Sequence, residues 1–142
     1  MTFAPWKTEY ELKHATMDDT HREFIDWLNR LDSTPDEGFA AALDEFIAHT
    51  IEHFEQENRW MRDSAFPPVN CHKGEHDEVL EVVRNVRAKV GTGDMDIGRR
   101  LVQELLPWFE NHAGNMDAAL AMWINGIGFD TSAKAKPKGD NA

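Results

Sequence analysis

The chain has one cysteine and one tyrosine in 142 residues. A lone Cys71 excludes an internal disulfide framework and fits a reducing cytoplasm. Basic charge is scarce: 15 Lys and Arg stand against 26 Asp and Glu, a net charge of -11. Neither nucleic acid nor an anionic membrane surface is an expected partner for such a chain. No apolar run approaches the roughly 18 residues that a membrane span needs. The start, Met1 to Trp6, lacks the basic-then-apolar order of a signal peptide. Strand-period segments, internal repeats and glycine-rich phosphate loops are also missing. What remains is a globular mixture, 41% hydrophobic and 29% charged, of a length that suits one domain. It is rich in one thing, histidine, with seven.

Three breaks divide the chain: Asp32 to Gly38, Phe66 to Asn70 with its tandem prolines, and Gly91 to Asp94. Between them the apolar residues recur with helical period. The first helix is expected from about Met17 to Leu31, with Met17, Phe24, Ile25, Leu28 and Leu31 on one face. The second runs from about Glu37 to Asp63, with Phe39, Leu43, Phe46 and Met61 in line. The third runs from about Cys71 to Val90 through Val79, Val83 and Val86. The fourth runs from near Asp96 to about Asn125, with Leu101, Leu105, Trp108, Ala119 and Trp123 in line. Short connections between four amphipathic helices favour an all-α, antiparallel up-down-up-down bundle. An arm to about residue 16 precedes it, so that residues 1–130 form the domain. The tail, 131–142, lacks apolar period and is expected to be flexible.

The histidines fall on the faces that should be apolar. Residues four apart on a helix differ by only about 40° in direction. His21 shares the stripe of Ile25 and Leu28. His53 lies seven after Phe46, and Glu57 four after His53. His72 and His76 head the line to Val79 and Val83, and His112 lies four after Trp108. Each of these groups costs about 1–3 kcal/mol when buried without a partner. A metal ion relieves that cost, since imidazole nitrogen and carboxylate oxygen are its ligands. Five His and Glu57 exceed one four-coordinate site, which points to two metals. Asp117 stands five after His112, about 140° away on a regular helix. It reaches the core only where the helix is rewound, as in a π-bulge, which Gly114 and Asn115 would ease.

The series His21, His53-x-x-x-Glu57, His72-x-x-x-His76, His112-x-x-x-x-Asp117 resembles the ligand set of the hemerythrin family. The likeness covers about residues 6 to 125 and includes Phe54, Met61 and Trp108. It implies a non-haem di-iron centre, two iron ions with an oxo or hydroxo bridge, inside a four-helix bundle. By position, His72, His76 and His112 would hold one iron and His21 and His53 the other, with Glu57 and Asp117 bridging. The two-histidine iron would keep one vacancy, where the family binds dioxygen reversibly. Ile25, Phe24, Trp108 and Met61 are candidates for an apolar lining there, or plain core. The implied function is oxygen storage, delivery or sensing by a monomer or weak homo-oligomer, without catalytic residues. An oxidase, peroxidase or nitric-oxide-handling enzyme on the same centre is the alternative. It would want a proton donor beside the vacancy, and no Tyr, Lys or Arg falls on the inner stripes.

Some residues depart from the family pattern or lie outside it. Ala113 stands where the family has a bulky aliphatic residue, which could enlarge the pocket. Pro107, inside the fourth segment, should kink it. Cys71 is expected to be a packed thiol rather than a ligand, and His14 and His49 to be surface residues. A ferritin-like site needs two Glu-x-x-His pairs, and the chain offers only Glu11 to His14, off the core stripes. A His-Asp phosphohydrolase reading of His76-Asp77 leaves His21, His112 and Glu57 unexplained.

Overall fold

A computed structural model of the chain describes residues 2–132. The tail expected to be flexible lies outside the described residues beyond Ser132. Among the described residues there is no strand. The helices are α1 (Ala15–Ser33), α2 (Asp36–Asp63), α3 (Val69–Gly91), α4 (Met95–His112) and α5 (Ala118–Ile127). The last two are one rod, joined through a five-residue π turn, Ala113–Asp117. The expected boundaries of the first three helices hold to within about two residues. α1 packs on α2, α2 on α3, α3 on α4, and α4 back on α1, which closes a four-helix bundle.

Local chemistry sets the ends. His14 is the N-cap of α1: its Nδ1 accepts the Met17 N–H at 3.1 Å. Asp94 caps α4 by accepting the Ile97 N–H at 3.2 Å. Ala65, with φ of 57°, closes α2 ahead of the Pro67-Pro68 pair, and Gly128, with φ of 68°, closes α5, both in the left-handed conformation. The helical run continues unbroken through Pro107 to His112.

The arm is clipped to the bundle. Ala4 N–H donates to Asn29 Oδ1 at 2.7 Å, and Asn29 Nδ2 donates back to Ala4 O at 2.8 Å. Asp18, a buried carboxylate, accepts the Leu12 N–H at 2.8 Å. The arm also brings Tyr10 inside, edge-on to Phe109 with ring centres 5.4 Å apart. The inner stripes themselves carry no tyrosine, so the helical pattern gave no sign of this ring.

The core is split in two. One cluster holds Phe24, Leu28, Phe39, Leu43, Phe46, Val79, Val83, Leu105 and Phe109. The other holds Met17, Trp60, Met61, Phe66, Leu120 and Ile124. Along every helix the inward-facing histidines and carboxylates fall between members of the two clusters. A polar layer therefore crosses the bundle.

Among the described glycines, Gly98 near the start of α4 has the closest neighbours. A Cβ on Gly98 would lie 2.7 Å from both Phe39 Cε2 and Val90 Cγ2, and both neighbours are buried. Gly98→Ala should gain about 1 kcal/mol in helix propensity and lose about 1–3 kcal/mol to overpacking. A net loss is expected in urea unfolding; a stabilised variant would show that α4 can retreat freely from α2 and α3.

Candidate metal centre

The polar layer is built from four rods. α1 supplies His21; α2 supplies His53 and Glu57; α3 supplies His72 and His76; α4 ends on His112; the π turn ends on Asp117. His53 is 9% exposed and the other six are 2% or less. All seven residues expected from the sequence come together. One ligand atom from each of Glu57, His72, His76, His112 and Asp117 lies within 4.8 Å of the others. His21, His53 and Glu57 form a second such group.

Asp117 arrives by the only route open to it. A regular helix would turn it away from His112. The π turn inserts one extra residue, so Asp117 Oδ1 comes to 3.3 Å from His112 Nε2. The same insertion advances every later side chain by one position. The expected line through Ala119 and Trp123 is thereby corrected: Ala119 is exposed and Trp123 half-buried, while Leu120, Ala121 and Ile124 are buried.

The two carboxylates divide their oxygens between two sets of histidines. Glu57 Oε1 lies 3.1 Å from His76 Nε2 and 3.6 Å from His72 Nε2. Its Oε2 lies 2.8 Å from His53 Nε2 and 3.4 Å from His21 Nε2. Asp117 repeats this: Oδ1 is 2.8 Å from His72 Nε2, and Oδ2 is 2.9 Å from His21 Nε2. His72, His76 and His112 thus face one pair of oxygens, His21 and His53 the other.

For four of these atoms close approach is not pairing. His21 Nε2, His72 Nε2, Glu57 Oε1 and Asp117 Oδ1 are buried and have no aligned hydrogen-bond partner. Lone pairs that converge on shared space, rather than on each other, are the arrangement a cation fills. Nitrogen and carboxylate oxygen suit a first-row transition metal. Without a cation, protons take its place. Burial opposes charge on His21 and His72, yet the adjoining Asp117 and Glu57 carboxylates raise them to about 10 and about 9. His112 is also raised, against its burial, by Asp117 and Glu75, whereas burial keeps His76 low. Burial opposes charge on Glu57 and Asp117 too; the imidazoles around them nonetheless hold both below the usual carboxylate range.

Aromatic rings wall the layer. Phe54 stacks on His76 at 4.0 Å and Trp108 on His112 at 4.6 Å. Phe109 stands edge-on to His21 at 5.3 Å and stacks on Phe24 at 5.2 Å. Of the expected lining residues, Phe24 stands beside His53, with ring centres 6.3 Å apart. Trp108 covers the other set, Met61 belongs to the second core cluster, and Ile25 packs in the first. Phe109, four after Leu105, shares its helical stripe and stands beside His21, though the spacing alone does not mark it as a lining residue.

Two polar residues behind the histidines were not expected. His112 Nδ1 lies 2.8 Å from Glu75 Oε1, and His76 Nδ1 lies 3.0 Å from Asn58 Oδ1. Cys71 is exposed, not packed, because it sits about 100° from the buried His72 on α3. His49 is exposed against Trp27, as expected, whereas His14 is half-buried in its capping role.

Comparison with known proteins agrees with this geometry. The family model described as the hemerythrin HHE cation binding domain matches residues 12–124. A bacteriohemerythrin of Ralstonia nicotianae is 42% identical over 135 residues, covering 95% of this chain and 98% of that one. A myohemerythrin of Sipunculus nudus is 29% identical over 91 residues, covering 64% and 74% of the two chains. A crystal structure of a hemerythrin with a leucine-to-alanine substitution superposes with a TM-score of 0.80 at 22% identity, covering 87% of this chain and 98% of that one. The wild-type hemerythrin structure gives 0.75 at 22% identity, over 82% and 93%.

Proposed function

The chain belongs to the hemerythrin family, and on that premise we propose that it holds two iron ions and binds dioxygen reversibly. The observation that carries this reading is the split of Glu57 and Asp117 between the two histidine sets. Carboxylates divided in this way would each serve two cations. His72, His76 and His112 would hold one iron, and His21 and His53 the other. When bound, the iron pair supplies the two electrons that dioxygen takes up and returns. The two-histidine side has one protein ligand fewer, so a small ligand has its place there.

The chain's own part is to hold that place and keep water from it. Phe109 against His21 and Phe24 against His53 form an apolar wall on the two-histidine side. Turnover would need a proton donor at the same place. The single tyrosine does not offer one, since Tyr10 O–H donates to Glu110 Oε2 at 2.8 Å. Burial, with the Glu110 carboxylate, pushes that phenol well above its ordinary value. No described helix is long and apolar enough to cross a membrane. Storage, local delivery or sensing in the cytoplasm is the role that fits, as a monomer or weak homo-oligomer.

Metal analysis and an optical spectrum test the reading together. About two irons per chain are expected, with a visible band that appears in air and disappears under vacuum. Stoichiometry near one, or zinc alone in repeated preparations, would overturn the di-iron assignment. Irreversible oxidation at the first exposure to air would overturn oxygen carriage.

A further inference from the structure

We propose that Glu75 is a positioning residue that makes the two halves of the centre unequal, so that the three-histidine half takes up its metal first and holds it more tightly. This rests on the two-metal reading above. Glu75 lies on α3 between His72 and His76, yet it reaches across to α4, where its Oε1 lies 2.8 Å from His112 Nδ1. A carboxylate can only accept there, so Nδ1 carries a proton, and Nε2, 3.3 Å from Asp117 Oδ1 and 3.2 Å from His76 Nε2, is the atom left to meet a metal. Asn58 does the same for His76, whose Nε2 faces Glu57 Oε1 at 3.1 Å.

The other half has no such support. His21 Nδ1 is buried without a hydrogen-bond partner. The hydrogen bond of His53 among the described residues is from Nε2 to Glu57, on the metal-facing side. Two of three imidazoles are therefore oriented on one side, one of them by a full negative charge. On the other side neither is.

A carboxylate that accepts the far N–H of a ligating imidazole fixes its tautomer and increases its electron donation to the metal. Removing such a group typically weakens metal binding 10- to 100-fold. Glu75 is well placed for this, since its side chain is only 29% exposed and His112 is 2% exposed. Asn58 orients without charge and should contribute less. A bridge between α3 and α4 with no bearing on the metal would stabilise the fold and leave metal binding alone.

Anaerobic titration of the metal-free protein with ferrous ion separates these outcomes. The natural chain is expected to take two ions in two resolved steps. Glu75→Gln keeps an acceptor of the same size and removes the charge. Its first step should weaken about 10- to 100-fold, merging with an unchanged second step. Glu81→Gln, at an exposed position on the same helix, should leave both steps as they were. A second measurement needs no metal: at a pH high enough that His112 carries a single proton, nitrogen-15 spectra should place that proton at Nδ1, and Glu75→Ala should abolish the preference. Two steps with an unchanged first affinity in Glu75→Gln, or an unchanged tautomer in Glu75→Ala, would overturn the inference. Uptake of a single ion by the natural chain would overturn the two-metal reading instead.

Discussion

An Asp117→Asn protein is expected to keep about one iron of the two and to lose its reversible colour change in air. The substitution preserves volume and removes a charge. One carboxylate oxygen becomes an amide nitrogen, a donor with nothing to offer a cation. Oδ1 faces His72 and Oδ2 faces His21, so whichever oxygen is lost, one half of the centre is deprived of it. The half with two histidines and no group behind His21 Nδ1 is the weaker, and its iron should leave first. Loss of a direct ligand should exceed the 10- to 100-fold typical of a supporting residue. A surface aspartate would tolerate the change within about 0.5 kcal/mol, but Asp117 is 1% exposed. Iron analysis after dialysis checks the outcome. Two retained irons with unaltered reversible oxygen binding would show that Asp117 is not a bridge.

Removing the metal altogether should have the larger effect on the fold. Buried atoms of His21, His72, Glu57 and Asp117 lack hydrogen-bond partners, and each such group costs about 1–3 kcal/mol. Metal that binds only the native chain stabilises it by about 4 kcal/mol per ion at a free concentration a thousandfold above Kd. At roughly 3 °C per kcal/mol for a chain of this size, chelation should lower the unfolding midpoint by about 10 °C or more. Circular dichroism melts of loaded, chelated and reloaded protein provide the check. An unchanged midpoint after verified removal would mean that the polar layer is stable on protons alone.

The parts of this arrangement that could be read from the sequence share a physical character. A polar side chain on an apolar stripe is conspicuous, and His21, His53, Glu57, His72, His76 and His112 all announce themselves so. Asp117 does not, because its inward aim depends on the π turn, which periodicity cannot foresee; the likeness to a family was needed to place it. Ala119 and Trp123 were misplaced for the same reason, since a period carried across the turn comes out one residue behind. Glu75 and Asn58 carry no such mark because each is a half-buried residue on the flank of its helix, about 100° from a ligand-bearing stripe, and reaches the far nitrogen of a histidine on another rod. A polar residue on a flank carries no anomaly. Tyr10 was hidden differently: it comes from the arm, outside any helical repeat.

The π turn makes the winding of residues 113 to 117 as sensitive a property as the identity of Asp117. Gly114 and Asn115 are exposed, and a Cβ on Gly114 would meet nothing within 4 Å. A side chain could be added at Gly114 with little consequence, whereas Asn115 Nδ2 donates to Asn111 O at 2.8 Å and so ties the turn to the helix before it. Straightening the turn into regular helix, with all five residues kept, would act like a shift of reading frame. The last ten residues of the rod would rotate by about 100°, presenting Ala119 to the core and turning Leu120 and Ile124 toward water. Two keys cut on one shaft, α4 and α5, fit the same lock only at this spacing.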